Sequence, residues 1–440
     1  MKWSARWSKA RQGRRLASLK QLLAQAHERL ALGFGFVLWD GSTVPPVLSP
    51  NSLAVVIADE GVIGAVLRRP NLDTLANLWV TARIELRGGS VLDFLARRPR
   101  VSARWMLSVL DRRLVLAVAM QFLSVPRGGP WPLEHVRGDR VRADGSAAAN
   151  KDNVHYHYDL SNAFYALFLD PEMIYTCAYF KGWNNDLATA QRDKLDMICR
   201  KLRLREGESL LDVGCGWGGL LCHAAQHYGV RAHGVTLAEE QYAFAKAKIA
   251  RLRLEDRVTL ELADYAAVRG RFDKIASIGM FEQVGIRNHP TYFQSIYRLL
   301  KPGGLYLHHA IARPNNAAFH RRPPGYAAIV RYIFPGGEVD HLGMSIANLE
   351  RNGFEVHDVE AWREHYARTT RLWHDRLMAQ RPAAEREVGP ARTRLWLAYL
   401  AACAIFFENN EVGIFQTLAS KRAKGASPLP PTRADLYPQS

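Results

Sequence analysis

The chain has 440 residues, 48% hydrophobic and 23% charged, enough for one large domain or two ordinary ones, and too apolar to be mostly disordered. Its longest apolar stretches, around Leu395–Phe407 and Leu114–Met120, fall short of the roughly 18 residues a spanning helix needs. The first thirty residues interleave Arg, Lys and Gln with Leu and Ala, so a secretory leader is not expected. Cys177, Cys199, Cys215, Cys222 and Cys403 are scattered, with no CxxC pair. Neither a disulfide framework nor a zinc site is expected, which suits a reducing cytoplasm. The 59 Lys and Arg outnumber the 42 Asp and Glu by 17, and residues 1–150 hold 22 basic against 11 acidic side chains. Such a basic module can meet nucleic acid, an anionic membrane surface or an acidic protein.

In chain order, Leu16, Leu19, Leu22, Leu23 and Leu30 fall near helical spacing, while Leu53–Ile57 and Ile63–Leu67 read as short strands or buried runs. These belong to a small accessory domain over residues 1–136. The polar stretch Arg137–Asn153 reads as a linker. After residue 200 strands and amphipathic helices alternate, as in a wound α/β sheet. Strands are expected at Ser209–Val213, Arg231–Leu237, Val258–Leu262, Phe272–Gly279 and Leu305–Ile311, with Phe354–Val359 and Gly413–Leu418 completing the sheet. Helices are expected at Leu220–His227, Glu239–Leu252 and Tyr292–Leu300, the last stopped by Lys301–Gly304. This second domain spans residues 154–425, and the Pro-rich end, 426–440, is expected to fray as a disordered tail.

The turn after the first of these strands reads Asp212-Val213-Gly214-Cys215-Gly216-Trp217-Gly218-Gly219. Glycines there let the chain turn sharply and let a ligand lie against the backbone. A dinucleotide enzyme places an acid at the end of the second strand to hold a ribose; here that strand ends in Thr236-Leu237, with Glu239 just inside the next helix. Asp212 sits where it serves an ammonium or ribose hydroxyls and repels a pyrophosphate. These features favour S-adenosylmethionine over NAD.

The run Asn153–Phe180 (NVHYHYDLSNAFYALFLDPEMIYTCAYF), with LLDVGCGWGG, GVTLAEEQ, SIGMFEQVG and LHHAI, resembles the cyclopropane-fatty-acyl-phospholipid synthase family over about residues 150–425. The resemblance implies a Rossmann-like class I methyltransferase with a seven-stranded mixed sheet, and a smaller N-terminal lipid-binding domain. It implies a bound bicarbonate as base, held by Cys177, Glu282, His309, the backbone of Ile311 and Tyr366, with Cys403 as a further active-site cysteine. Neighbours on a strand face opposite ways, so a slip of one residue makes His308 the ligand. S-adenosylmethionine falls to Tyr175, Thr176, Leu210, Asp212, Gly214, Cys215, Gly216, Gly218, Thr236, Leu237, Gln241, Asp264 and Tyr265, Asp264 reading equally as a helix cap. Gln283 stands where relatives commonly carry His. The insertion Pro314–Gly343 reads as a lid over an acyl channel.

Methyl transfer from a sulfonium to an isolated alkene makes a carbocation. The site must exclude water, offer electron-rich walls and supply a base. Tyr156, Tyr158, Phe164, Tyr165, Tyr175, Tyr179, Phe180 and Phe281 are candidates for those walls, at least half of them plain core. The expectation is a cytoplasmic enzyme, peripheral at the inner face of the membrane, for which the resemblance implies a homodimer, that methylates unsaturated acyl chains of phospholipids and closes a cyclopropane ring. Loss of a different proton leaves a methyl-branched or methylene-bearing chain, and a lipid-binding pseudoenzyme keeps the fold without turnover. No base-N-methylation motif or RNA-binding signature supports a nucleic-acid substrate.

Overall fold

The computed structural model describes residues 2–99, 101–134, 160–316, 324–427 and 429–437. The expected linker and Tyr156 and Tyr158 lie outside the described residues. The chain forms two compact units, Met1–Arg137 with Gly389–Ile405, and Gly138–Val388 with Phe406–Ser440.

In the first unit, β1 (Gly35–Val37), β2 (Thr43–Val44), β3 (Ala54–Ile57) and β4 (Ile84–Arg87) form a sheet in the order β2-β1-β3-β4, with β1 and β3 parallel. The leucine spacing near the start belongs to the helix Lys2–Arg29, whose Leu19 is buried against Leu38, Ile57, Val62, Leu78, Val118 and Phe122. The run Ile63–Leu67 is helical, within Glu60–Arg68; a short apolar run has no period that separates helix from strand. The stretch Gly389–Ile405 joins this unit through Arg394, which is buried, pairs with Glu85, donates to the Ile84 carbonyl and lies 4.0 Å over the Trp79 ring.

The second unit is a seven-stranded sheet in the order β10-β11-β9-β8-β5-β6-β7. Its strands are β5 (Ser209–Val213), β6 (Arg231–Thr236), β7 (Val258–Leu262), β8 (Phe272–Ile278), β9 (Leu300–Ala312), β10 (Phe354–Ala361) and β11 (Gly413–Lys421). The five strands β5 to β9 run parallel, while β11 is antiparallel to both β9 and β10. Leu210, Leu211 and Val213 are wholly buried on the central β5, as a parallel strand covered on both faces requires. The edge strands β7 and β10 carry exposed Glu261 and Glu355, which discourages pairing with another sheet. The helix His289–Leu299 ends just before Lys301–Gly304, as expected, and these residues fall within β9: Phe272 pairs with Leu300 and Lys274 with Leu305, so the Pro-Gly-Gly turn bulges there.

The tail does not fray throughout. Ala434–Leu436 form a 3₁₀ turn with Leu436 buried, and Arg433 and Asp435 pair with Asp358 and Arg203. Among the described residues no helix is long and apolar enough to cross a membrane.

Candidate active site

From β5 the chain winds through β6 to β7 on one side, then crosses to β8 and β9 on the other. The reversal leaves a crevice at the carboxyl ends of β5 and β8, the place where wound sheets hold ligands. Gly214, Gly216 and Gly218 have φ of +77°, +53° and +78°, the left-handed region open to glycine. A Cβ on Gly216 would meet nothing within 4 Å, so this part of the turn faces open space. Gly218 also caps the helix Gly219–Tyr228 without a side chain, leaving first-turn amides for a ligand.

Other residues expected at the cofactor divide. Tyr175 and Thr176 lie across the strand ends; a Cβ on Gly279, just after β8, would come within 2.6 Å of Thr176 Cγ2. Asp212 is buried, and burial pushes its carboxyl up to about 7 against the pull of Lys194. Thr236 donates to Gln241 Oε1 at 2.9 Å, so this pair is preorganised at the end of β6; Leu237 follows it, half-buried. Asp264 accepts from the Ala266 amide at 2.8 Å as the cap of a 3₁₀ turn, and Tyr265 packs edge-on against Tyr292 at 5.1 Å. Two residues offer no side chain here. Leu210 is core, and Cys215 turns inward against Gly234.

Cys177, Glu282, His309, Ile311 and Tyr366, expected at the reacting centre, gather beside this crevice, and Cys403 falls in the other unit. Cys177, Ile311 and Tyr366 share one apolar cluster with Trp362 and Phe407. Burial drives the Cys177 thiol well above its ordinary range, so it stays protonated, donating to the carbonyls of Ala178 at 3.3 Å and Trp362 at 3.8 Å. It is a donor, not a thiolate nucleophile. His309 lies edge-on to Trp362 at 5.2 Å, and burial holds its imidazole neutral. His308 faces the other side, between Tyr306 Oη at 3.0 Å and Ser345 Oγ at 3.5 Å. The strand register thus puts His309 with Cys177 and leaves His308 in the core. Glu282 sits in the 3₁₀ turn Phe281–Gln283 after β8, where burial raises its carboxyl despite the 2.6 Å bond it accepts from the Ile311 amide. Tyr366 stacks on Phe407 at 4.6 Å. Cys403 belongs to the first unit, on the helix stretch packed against Leu92, its thiol pushed up to about 12 by burial.

Several residues around this centre escape a reading of the sequence. Gln416 lies opposite His309 on β11, its amide 3.2 Å from His309 Nδ1. Lys194 is buried, bonds Thr176 Oγ1 at 2.9 Å and is held down to about 8 by burial, opposed by Asp170, Cys177 and Asp212. Trp373 lies 5.0 Å from Tyr175, and Trp362 4.8 Å from Tyr179. Each comes from a part of the chain remote from the motifs, and no local pattern marks it in the sequence. His309 Nε2, Gln416 Oε1 and Trp362 Nε1 are buried without a hydrogen-bond partner among the described residues.

Residues 146–417 match the family described as mycolic acid cyclopropane synthetase. The chain is 37% identical over 428 residues to a probable fatty acid methyltransferase of Pseudomonas putida, covering 96% of this chain and all of that one. It is 37% identical over 265 residues to the cyclopropane-fatty-acyl-phospholipid synthase of Escherichia coli K12, covering 60% of this chain and 66% of that one. Among solved structures, mycolic acid cyclopropane synthase CmaA1 complexed with SAH and CTAB superposes with a TM-score of 0.60 at 33% identity, over 62% of this chain and 98% of that one. The cyclopropane synthase MmaA2 from Mycobacterium tuberculosis gives 0.59 at 30%, over 62% and 98%. With the seven-stranded sheet and the glycine turn at its switch point, these findings place the chain in the mycolic acid cyclopropane synthetase family of S-adenosylmethionine-dependent methyltransferases.

Proposed function

We propose that the protein transfers the methyl carbon of S-adenosylmethionine to the cis double bond of an unsaturated acyl chain of a membrane phospholipid and closes a cyclopropane ring. The observation that carries this reading is the trio of buried, unpartnered polar atoms on neighbouring residues: His309 Nε2, Gln416 Oε1 and Trp362 Nε1. Leaving such atoms unmet costs about 1–3 kcal/mol each. A small oxyanion bearing one hydroxyl meets donors and an acceptor together, so the residues fit bicarbonate. Cys177, Glu282, His309, Tyr366 and the Ile311 backbone are the groups to hold it, and when bound it supplies the base that takes a proton from the new methyl group.

The protein's own part is to exclude competing nucleophiles and steady the cation. Cys177 and His309 are neutral and buried, and the ring faces of Tyr175, Trp373, Tyr179 and Trp362 surround their neighbourhood, offering the electron density a carbocation needs. As the new C–C bond forms the C–S bond breaks and S-adenosylhomocysteine leaves. Proton loss from the transferred carbon then closes the ring.

A membrane surface is the proposed place of action. On the helix Arg112–Phe122 and its cap, Leu116, Met120 and Leu123 are exposed at 63%, 68% and 44%. They stand at i, i+4 and i+7 in line with exposed Arg112 and Arg113, opposite the buried Val118 and Phe122. An apolar stripe with an arginine end suits an anionic bilayer. A second reading, a methyl-branched product from the same cation, draws on the fatty acid methyltransferase matched along its whole length.

The test is to supply labelled S-adenosylmethionine with anionic vesicles of cis-monounsaturated phospholipid, or with free monounsaturated fatty acid, in buffer with and without bicarbonate. Label in phospholipid acyl chains, falling when bicarbonate is stripped, supports the proposal. Label in free fatty acid alone, or turnover indifferent to bicarbonate, contradicts it.

A further inference from the structure

The turn that carries Glu282 is held on its inner side by Phe281 and Val284, both buried in the core, with Phe281 against His289, Tyr292 and His308. Phe281–Gln283 and Ile286–Asn288 are single 3₁₀ turns joined through Val284 and Gly285, the latter at φ +80°. Its internal bonds include the local pairs Gln283 N–H to Met280 O at 3.1 Å, Val284 N–H to Phe281 O at 3.0 Å and Asn288 N–H to Gly285 O at 2.9 Å, and Asn288 Nδ2 donates to Val284 O at 2.8 Å. Three-residue turns of this kind are weak by themselves. Polar anchors from outside the turn complement that apolar packing and hold the Glu282 backbone from the other side.

Those anchors come from the far leg of the insertion after β9. The helix Pro324–Tyr332 ends at Phe334-Pro335-Gly336-Gly337, and the chain returns along Glu338-Val339-Asp340. Glu338 grips the turn twice: its amide donates to the Glu282 carbonyl at 2.8 Å, and its carboxylate Oε2 accepts from the Ile286 amide at 2.9 Å. The leg itself is fixed. The Val339 amide donates to Tyr326 Oη at 3.1 Å, and the Arg313 amide, just past β9, donates to the Asp340 carbonyl at 2.7 Å. The Gln283 side-chain amide lies 3.6 Å from where a Cβ on Gly337 would stand.

We propose that Glu338 is a positioning residue for Glu282: by clamping the turn Phe281–Ile286 from outside it keeps the Glu282 carboxylate on the Ile311 amide. The far leg of the insertion, residues 338–340, is then a brace for the reacting centre. The proposal rests on the reading that Glu282 acts in the reaction. A carboxylate displaced by an ångström costs up to about a hundredfold in rate, and a misplaced base lets the cation lose a different proton.

The variants are Glu338→Gln, which keeps an acceptor for the Ile286 amide, and Glu338→Asp, which keeps the charge but is one methylene too short to reach it. Glu338→Ala is read only if it folds. Amide hydrogen exchange at Ile286 and Ile311, kcat, KM for S-adenosylmethionine and the share of ring-closed product are measured for each. Glu338→Asp is expected to speed exchange at Ile286 and Ile311 together. It should lower kcat about tenfold with KM for S-adenosylmethionine within twofold, and divert product away from the ring, while Glu338→Gln stays near wild type. Exchange that quickens at Ile286 but not at Ile311 overturns the proposal, as does a Gln variant impaired like the Asp variant. Exchange needs no substrate, so this arm stands or falls apart from the assigned reaction.

Discussion

The amide of Ile311 donates to the Glu282 carboxylate at 2.6 Å, one step beyond the last pairing of β8 with β9, where Gly279 N–H meets the His309 carbonyl at 2.9 Å. The Glu282 side chain in effect extends the ladder, and the same extension carries it to the strand that bears His309. Glu282→Gln retains an oxygen for Ile311 but loses the charge. The variant should fold with a thermal midpoint close to wild type while methyl transfer falls by about 10² to 10⁴, the range of lost acid–base catalysis, because the bicarbonate base is no longer held in place. Unchanged turnover would remove Glu282 from the reacting centre.

Gln416 is expected to act through His309. Its amide holds Nδ1 and leaves Nε2 facing the centre, which fixes the tautomer. Gln416→Leu should cut turnover about tenfold or more and raise the bicarbonate concentration needed for half-maximal rate, with the affinity for S-adenosylhomocysteine unchanged. Calorimetry on the variant separates these, since a general loss of structure would weaken both.

Asp212 sets a pH dependence whose sign is fixed by its environment. Its ordinary value is 3.8, and burial lifts it to about 7 in the fold. The neutral carboxyl's contribution to stability is fully present below 3.8 and is lost as pH rises from there to about 7. Binding of a cationic cofactor runs the other way, because it calls for the ionised form. Affinity for S-adenosylmethionine should tighten up to about tenfold per pH unit toward 7 and level off above it, and Asp212→Asn should flatten the slope. A titration from pH 5.5 to 8 checks this.

Gly279 has no room for a side chain. At φ +65°, a Cβ there would stand 2.6 Å from Thr176 Cγ2, so Gly279→Ala should cost about 1–3 kcal/mol and weaken cofactor binding through the Tyr175–Thr176 segment. Adding Thr176→Ser, which removes the colliding methyl, should recover part of the loss in a double-mutant cycle of denaturant midpoints.

For the membrane reading, Leu116→Glu with Met120→Glu should reduce sedimentation with anionic vesicles at least about tenfold, without loss of thermal stability, since both side chains are exposed. Arg112→Gln with Arg113→Gln should mainly weaken the salt dependence of binding. If the stripe carrying the two glutamates binds vesicles as wild type does, the bilayer contacts another surface; a change in oligomeric state would mark the stripe as an interface between copies.

The wound sheet was legible because its strands are short apolar runs closed by turn signals, as at Val258–Leu262 and at Ser209–Val213 before its glycine turn. Cys177, Glu282, His309 and Tyr366 were legible through family motifs. Spacing alone could not gather them, since they lie on a loop, a 3₁₀ turn, a strand and a helix. The residues that were missed, Gln416, Lys194, Trp362 and Glu338, carry no local signature. Gln416 reads as one more strand residue until the register sets it opposite His309, and Lys194 reads as a solvated helix lysine until Asp170 and Asp212 close around it. The run Ile63–Leu67 was ambiguous for a plainer reason, because five apolar residues fit either period.

The central claim is ring closure on a phospholipid chain, and the fate of the methyl hydrogens tests it most directly. With S-adenosylmethionine carrying a trideuterated methyl group and vesicles of cis-monounsaturated phospholipid, the released fatty acids are analysed by mass spectrometry. Two retained deuteriums on a product without a double bond are the predicted result, because one is lost as the ring closes. Three retained deuteriums, as in a methyl branch, or lipid without any label, would contradict it.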